Sequence, residues 1–346
     1  MKCVVVQTAY LGDVVLTVPL LSVLRDDRLV SEVTVVASPP GSSFLREQGV
    51  VDRVITYDKR GADSGAGGSL RVVREVRDLE ADAALVPHRS FRSAMMAALA
   101  RIPVRVGFDA SGGRPFLTEA LPYRAGDHEV DRVGSLAGAL GVTLSEGRLP
   151  FELRVPDGAR ESLSARLPAD VSGRRGRVVV APGSRWATKR WLPERFAAAA
   201  GRIARELGTD VVVVGAGYES DVCAEVARAT EPPAVDLSGD LPLGQLLATV
   251  ADASLVLSND SAVTHLAAGL GAPVVALFGP TVRAQGFTPY TDLARVVEKD
   301  VACRPCGRHG SDRCPNGTFE CMRGVSADDV VTAALELLRE GGGAIA

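Results

Sequence analysis

The sequence predicts an α/β protein built from two Rossmann-like domains, each a parallel sheet covered by helices, and three observations carry that expectation. The chain has 346 residues, more than a single core usually holds before chains divide into domains. Short, almost wholly apolar β-rich runs alternate with segments of helical spacing, which is the pattern of strands buried on both faces. This alternation stops at the polar stretch VPDGARESLSARLPADVSGRR, residues 155–175, and then begins again.

Taken in order, the first half offers strands at KCVVVQ, EVTVVA, RVITYD, ADAALVP and VRVGF, with helices expected over VVLTVPLLSVLRDD and RSFRSAMMAALAR. The second half offers RVVVAP, DVVVVG, ASLVLS and APVVALFG, with a helix over PERFAAAAGRIAREL that can open at Pro193. A Gly/Ser-rich loop is expected at 60–69, RGADSGAGGS. The last helix, SADDVVTAALELLRE, has Ser326 in an N-cap position and acidic residues in its first turn. These readings divide the chain into a first domain at 1–155, a linker region at 156–175, a second domain at 176–325 and a terminal helical segment at 326–346.

Composition narrows the partners. Hydrophobic residues make up 46%, charged residues 23%, and the net charge is −3, so no basic excess points to nucleic acid. The opening MKCVVVQTAYLGDVV lacks the pattern of a signal peptide. No run reaches the roughly 18 apolar residues that a membrane span needs. A cytoplasmic chain with reduced cysteines and no transmembrane segment is therefore expected.

In doubly wound sheets ligands bind where strands end and helices begin, and four such junctions are unusually polar. After the first strand, Gln7 to Asp13 places Gly12 in a turn and Asp13 at a helix start, either as a cap or as a working carboxylate. No G-x-G-x-x-G follows that strand, which argues against a nicotinamide oxidoreductase. The second junction, PGSRWATKRWLP, gathers Ser184, Arg185, Lys189, Arg190 and both tryptophans before a helix, which suits a phosphate group, the alternative being that Trp191 packs as a staple and the cations are solvated. Glu219 follows a Gly-Ala-Gly turn and serves either a ribose diol or its own helix start. The fourth junction delivers Asn259, Asp260, Ser261 and Ala262 to a helix whose second turn carries His265. Its small residues allow close approach of a diphosphate to backbone N–H groups, while Asp260 or Ser261 alternatively caps it. Separately, Cys303, Cys306, Cys314 and Cys321 gather four of the six cysteines around His309. Structural zinc and a reduced loop without metal both fit that cluster.

Taken together, GDVVLTVPLLSVLR, PGSRWATKRWLPERF, the stretch from LSGDLPLGQ to ALFGPT, and CRPCGRHGSDRCPNGTFECM resemble glycosyltransferase family 9. This is the family of ADP-heptose:lipopolysaccharide heptosyltransferases, and the cysteine-rich tail is more like type II than type I. The resemblance implies a GT-B fold, in which two Rossmann-like domains face a central cleft and the final helix crosses back to the first domain. It implies an inverting, metal-independent transfer of heptose from ADP-L-glycero-β-D-manno-heptose to the inner core of lipopolysaccharide at the inner membrane surface. No cofactor is required by that chemistry. Asp13 falls on the family's proposed general base, Ser184, Arg185 and Lys189 on the donor-phosphate loop, and Glu219 on the ribose contact. Asp260, Ser261, Ala262 and His265 fall on the motif for diphosphate and sugar; beside an anion, Asp260 is expected to cap its helix or bond a sugar hydroxyl. Arg185 stands where some members carry a hydroxyl residue. Lys59, Arg60, Arg89, Arg92 and Arg114 are the candidate contacts for an anionic acceptor. Two alternatives are a family member with another nucleotide sugar or acceptor, and a binding protein that has kept the fold without catalysis.

Overall fold

The computed structural model describes residues 1–144, 147–172 and 176–341, which form two compact units, Met1–Glu152 and Leu153–Ala346. The first unit contains β1 (Lys2–Gln7), α1 (Leu11–Asp26), β2 (Glu32–Ala37), α2 (Pro39–Gln48), β3 (Arg53–Thr56), α3 (Gly65–Arg77), β4 (Ala83–Leu85), α4 (Phe91–Leu99), β5 (Val104–Phe108), β6 (Glu119–Leu121) and α5 (Glu129–Gly138). Its strands form a six-stranded sheet in the order β3-β2-β1-β4-β5-β6, with every described pairing parallel. That is the doubly wound order, with its switch point between β1 and β4. Val4, Val6, Val36, Ile55, Val72 and Met96 are among the residues that fill one face of this sheet.

The second unit contains α6 (Ala159–Ser164), α7 (Ala169–Ser172), β7 (Arg177–Ala181), α8 (Pro193–Leu207), β8 (Val211–Val213), α9 (Ser220–Ala229), β9 (Val235–Asp236), α10 (Leu243–Ala251), β10 (Ala253–Asn259), α11 (Ala262–Gly269), β11 (Val274–Phe278), β12 (Ala294–Glu298), α12 (Glu320–Arg323) and α13 (Ala327–Glu340). Its sheet order, β12-β11-β10-β7-β8-β9, repeats the same winding and puts the switch point between β7 and β10. The α8 helix begins on Pro193 and buries Phe196, Ala197, Ala199, Ala200, Ile203 and Ala204, a stripe of helical period. It ends at Gly208, whose φ of 59° is the left-handed conformation that closes helices without a Cβ penalty.

Two expectations change. The segment 156–175 is no linker: Ala159, Leu163, Leu167 and Val171 pack into the second unit's core with Val179 and Val256, while residues 173–175 lie outside the described set. The expected loop at 60–69 is largely structured. Asp58 accepts from the N–H of Gly61, Asp63 accepts from the N–H of Asp58 and from Arg71, and Gly65 to Gly68 already belong to α3. The α13 helix uses its apolar face within its own unit, where Val330, Val331, Ala334 and Leu337 join Phe196 and Ile203. Residues 342–346 lie outside the described set. The α13 cap is as expected, with Ser326 Oγ accepting from the N–H of Asp329 at 3.1 Å and Asp329 accepting from the N–H of Ser326 at 2.8 Å.

Candidate functional site

In the first unit the chain leaves β1 through Thr8, Ala9 and Tyr10 and enters α1. Asp13 occupies the third position of that helix, half-buried, with Oδ2 accepting from the N–H of Tyr10 at 3.2 Å. Below it, Thr17 donates to the Asp13 carbonyl at 2.7 Å and receives Gln7 Nε2 at 3.0 Å, so the buried end of β1 fixes the first turns of the helix.

Beside this turn, Thr8, Lys59, Ser90, Phe91 and Arg92 line an open cavity of about 420 Å³. Lys59 Nζ donates to the Thr8 carbonyl at 2.8 Å. Burial and then the charges of Arg60 and Arg92 push its pKa below the usual lysine range. Arg60 donates to Tyr10 Oη at 3.2 Å and lies over that ring. Exposed Tyr10 and Phe91 add apolar surface to a cationic rim. Of the five predicted acceptor contacts, Lys59 and Arg92 line the cavity and Arg60 flanks it. Arg114 is exposed on a 3₁₀ turn that packs beside α4 through the Phe116–Phe91 contact. Arg89 instead turns its guanidinium to 4.1 Å from the centroid of the Tyr123 ring.

The Tyr123 group was not foreseen. Arg132, 2% exposed, forms an ion pair with Glu129, itself 9% exposed, and donates to Tyr123 Oη at 2.7 Å. An acidic residue three positions before an arginine at the start of an apolar helix was the available signal.

In the second unit the loop from Pro182 to Leu192 leaves β7 and is held by Asn259. The amide Nδ2 of Asn259 donates to the Pro182 carbonyl at 2.7 Å, and its Oδ1 accepts from the N–H of Trp191 at 3.0 Å. Trp191 is 1% exposed and packs edge-on to Phe196, so one of the two tryptophans is core, while Trp186 lies under the exposed Arg185. Ser184 is buried, its carbonyl accepting from Arg190 Nε at 2.9 Å.

Lys189 does not point freely to solvent. Its Nζ lies 2.6 Å from Asp260 Oδ2, and Thr281 Oγ1 donates to the same oxygen at 2.6 Å. Of the two expectations for Asp260, a helix cap or a bond to a sugar hydroxyl, the cap is corrected. Ser261 occupies the cap position, but its hydroxyl meets Ser258 Oγ at 3.0 Å, and among the described residues no side chain caps the helix. Ala262 thus opens a helix whose first N–H groups are free of side-chain acceptors, next to a fixed ammonium, with His265 buried one turn in. That arrangement is electrostatically suited to an anion.

Glu219 closes the other side of the loop. Its Oε2 accepts from the N–H of Ala216 at 2.9 Å, and burial holds its pKa above the usual carboxylate range. A Cβ on Gly183 would stand 2.2 Å from Glu219 Cδ, so a larger residue there would displace this carboxylate.

The cysteine-rich segment also belongs to this neighbourhood, contrary to its predicted separation from the strand ends. Thr188 Oγ1 accepts from the N–H of Ser311 at 2.8 Å and donates to its carbonyl at 2.9 Å. Arg304 donates to the Thr281 carbonyl and to Glu298, each at 2.6 Å. Of the two readings of the four thiols, structural zinc or a reduced loop, the geometry offers no metal-ready cluster: among the described residues no group of three or more His, Cys, Asp or Glu side chains is arranged to hold a metal. Cys306 donates to the Cys303 carbonyl, Cys314 accepts from the N–H of Phe319, and Cys321 is buried.

With this geometry in hand, comparison with known proteins is decisive. A family model described as glycosyltransferase family 9 (heptosyltransferase) matches residues 69–314. The chain belongs to glycosyltransferase family 9. The chain is similar to lipopolysaccharide heptosyltransferase 2 of Salmonella typhimurium, 27% identical over 310 residues, covering 86% of this chain and 88% of that one. Among solved structures, a family 9 glycosyltransferase from Veillonella parvula superposes with a TM-score of 0.84 at 26% identity, covering 98% of both chains. The E. coli ADP-heptose lipopolysaccharide heptosyltransferase II matches with a TM-score of 0.80 at 22% identity, covering 99% of this chain and 100% of that one, a likeness of fold. The family 9 glycosyltransferase therefore has the GT-B class of fold that its sequence led us to expect. Among its described residues no helix is long and apolar enough to cross a membrane.

Proposed function

We propose that this glycosyltransferase moves heptose from ADP-L-glycero-β-D-manno-heptose to the inner core of lipopolysaccharide, inverting the anomeric carbon and requiring no metal. The observation that carries the proposal is the side-chain-free N-terminus of α11 beside Lys189, whose ammonium is held 2.6 Å from Asp260. A diphosphate seated there meets two preorganised positive centres, the helix end and the lysine. Such a donor, aimed at charge that develops as the leaving group departs, is worth about 3 kcal/mol. Ser184 and Arg185 flank this anion from the β7 loop, and Glu219 lies where a ribose hydroxyl can donate to it. His265 backs the same helix turn.

In the first unit Asp13 accepts the proton of the acceptor hydroxyl as that oxygen bonds to the anomeric carbon and the bond to the ADP oxygen breaks. An ordinary carboxylate is a weak base, so the proton moves late, when positive charge on the sugar has acidified the hydroxyl. Lys59, Arg60 and Arg92 supply cations for the anionic inner core, and Tyr10 and Phe91 supply apolar surface. Because that acceptor is lipid-linked, the enzyme works in the cytoplasm at the face of the inner membrane.

The test is transfer by the purified protein to heptosylated and Kdo-bearing lipid A, with ADP-heptose compared against ADP-glucose, GDP-mannose and UDP-N-acetylglucosamine in the presence of EDTA. Turnover with ADP-heptose alone supports the proposal. Absence of that turnover, with transfer from another donor, overturns it.

A further inference from the structure

Asp13 opens α1 and Glu129 opens α5. Strands β1 and β6 run parallel in one sheet, so both helices begin at the same sheet edge, and the two pack against each other. The Glu129 carboxyl is held by Arg132, which is itself tied to the surrounding chain. Arg132 spends all five of its N–H donors here: on Glu129, on Tyr123 Oη, and on the carbonyls of Arg124, Ala125 and Asp127. This ties the 121–128 connection to the first turn of α5. Arg89 faces the same Tyr123 ring from the segment before α4. His128, at the N-cap, accepts from the N–H of Val130 through Nδ1 at 3.1 Å. A buried carboxyl paired with an arginine so fully anchored is placed, not incidental.

We propose that Glu129 is a positioning residue for the transfer reaction: its carboxylate, fixed by Arg132 beside Asp13, makes Asp13 a stronger proton acceptor. This rests on Asp13 being the base. The physical link is reciprocal. Burial pushes the Glu129 carboxyl up to about 7, with the charge of Asp13 adding to the rise and Arg132 and Arg89 opposing it. Two like charges that each disfavour the other's ionisation must do so equally. When Glu129 ionises, Asp13 holds a proton more firmly, and general-base transfer quickens. The proton itself passes only from the acceptor hydroxyl to Asp13; Glu129 exchanges its own with solvent.

The experiment is the pH profile of kcat, from about pH 5.5 to 9, for wild type, Glu129→Gln, Asp13→Asn and the double variant, with ADP binding measured in parallel. Glutamine keeps an acceptor for Arg132 and removes the charge. The expected result for Glu129→Gln is loss of the limb near pH 7 and a kcat lower by about threefold to tenfold at pH 8. Donor KM should stay within about twofold, and the variant should have no further effect in the Asp13→Asn background. A wild-type profile in Glu129→Gln, or the same fold loss in both backgrounds, overturns the inference while leaving the base intact. Asp13→Asn at wild-type rate overturns the base, and the inference with it. Carboxyl ¹³C NMR gives a readout independent of turnover: Glu129 should titrate at lower pH in Asp13→Asn than in wild type, and an unchanged titration overturns the coupling.

Discussion

Lys189 and Asp260 meet at 2.6 Å across the end of β10, and Thr281 shares the same carboxylate oxygen at 2.6 Å. Both charges are largely buried, at 12% and 7% side-chain exposure. Burying such a pair is weak evidence for stability, because desolvation offsets attraction; its use is to hold the ammonium in one place. Asp260 thus orients the cation that the proposed mechanism assigns to the diphosphate. Asp260→Asn should raise donor KM and lower kcat, with kcat/KM falling by about tenfold to a hundredfold. Lys189→Met should fall at least as far. Steady-state kinetics with ADP-heptose decide it, and an Asp260→Asn enzyme with wild-type kcat/KM would show that Lys189 needs no anchor.

As the proposed base, Asp13 should be needed for chemistry and not for donor binding. Asp13→Asn keeps an acceptor for the N–H of Tyr10, so the helix start survives. We expect kcat to fall at least about a hundredfold, with the ADP dissociation constant unchanged by calorimetry. Parallel weakening of ADP binding would mean that the substitution disturbed more than proton transfer.

The central strands and the catalytic edge were legible because their signals are local. KCVVVQ, EVTVVA and RVVVA are apolar runs bounded by turns, and they became β1, β2 and β7 with little change in their ends. The outer strands β6, β9 and β12 were missed: β9 has two residues, β6 has three, and neither carries an apolar run of its own. Their strand character comes from pairing with a neighbour, which no single segment encodes. The same holds at the candidate site. Lys189, Asp260 and Asp13 stand out by type and position, yet the bond from Lys189 to Asp260 spans 71 residues, and nothing local to either residue encodes it. Glu129 and Arg132 were invisible as a site because they look like an ordinary surface pair until α5 packs on α1.

The cysteine-rich segment braces the loop that carries Lys189. Thr188 and Ser311 exchange three hydrogen bonds, and a Cβ on Gly310 would stand 2.7 Å from Trp186 Cβ. Thr188→Val removes the hydroxyl and keeps the shape, leaving the Ser311 N–H without its acceptor at a cost of about 1–3 kcal/mol. Donor KM should rise several-fold while Asp13-dependent chemistry persists. Hydrogen exchange at 186–190 should quicken in the same variant; unchanged exchange would show that the loop is held without the brace.

Thiol reactivity should follow environment. The N–H of Phe319 leads the backbone donors that lower the Cys314 pKa, whereas burial raises those of Cys306 and Cys321. In Cys3 and Cys223 burial pushes the thiol up to about 12. Since the thiolate is the nucleophile, iodoacetamide at pH 7.5 should label Cys314 before Cys306 and Cys321, and leave Cys3 and Cys223 unmodified in the folded protein. Peptide mass mapping over time reads the order directly, and early labelling of Cys321 would contradict it.

The buried Glu129 carboxyl also sets a pH dependence of stability whose sign runs against the usual carboxylate. Its pKa in the folded protein is about 7, against about 4.3 for an unfolded glutamate. Between these values the folded chain holds a proton that the unfolded chain has released, so stability falls as pH rises through that window and levels off above it. The capping Asp329 acts oppositely: the N–H of Ser326 holds its pKa low, and its contribution, present above the unfolded value, is lost only as pH falls through the lower folded value. Urea unfolding of the full chain from about pH 4.5 to 8 should therefore show a falling contribution in wild type that disappears in Glu129→Gln, where nothing titrates at this position. Equal slopes in the two proteins would place the proton elsewhere. A slope lost in Glu129→Gln and reduced in Asp13→Asn would locate it at the start of α5, under the influence of Asp13.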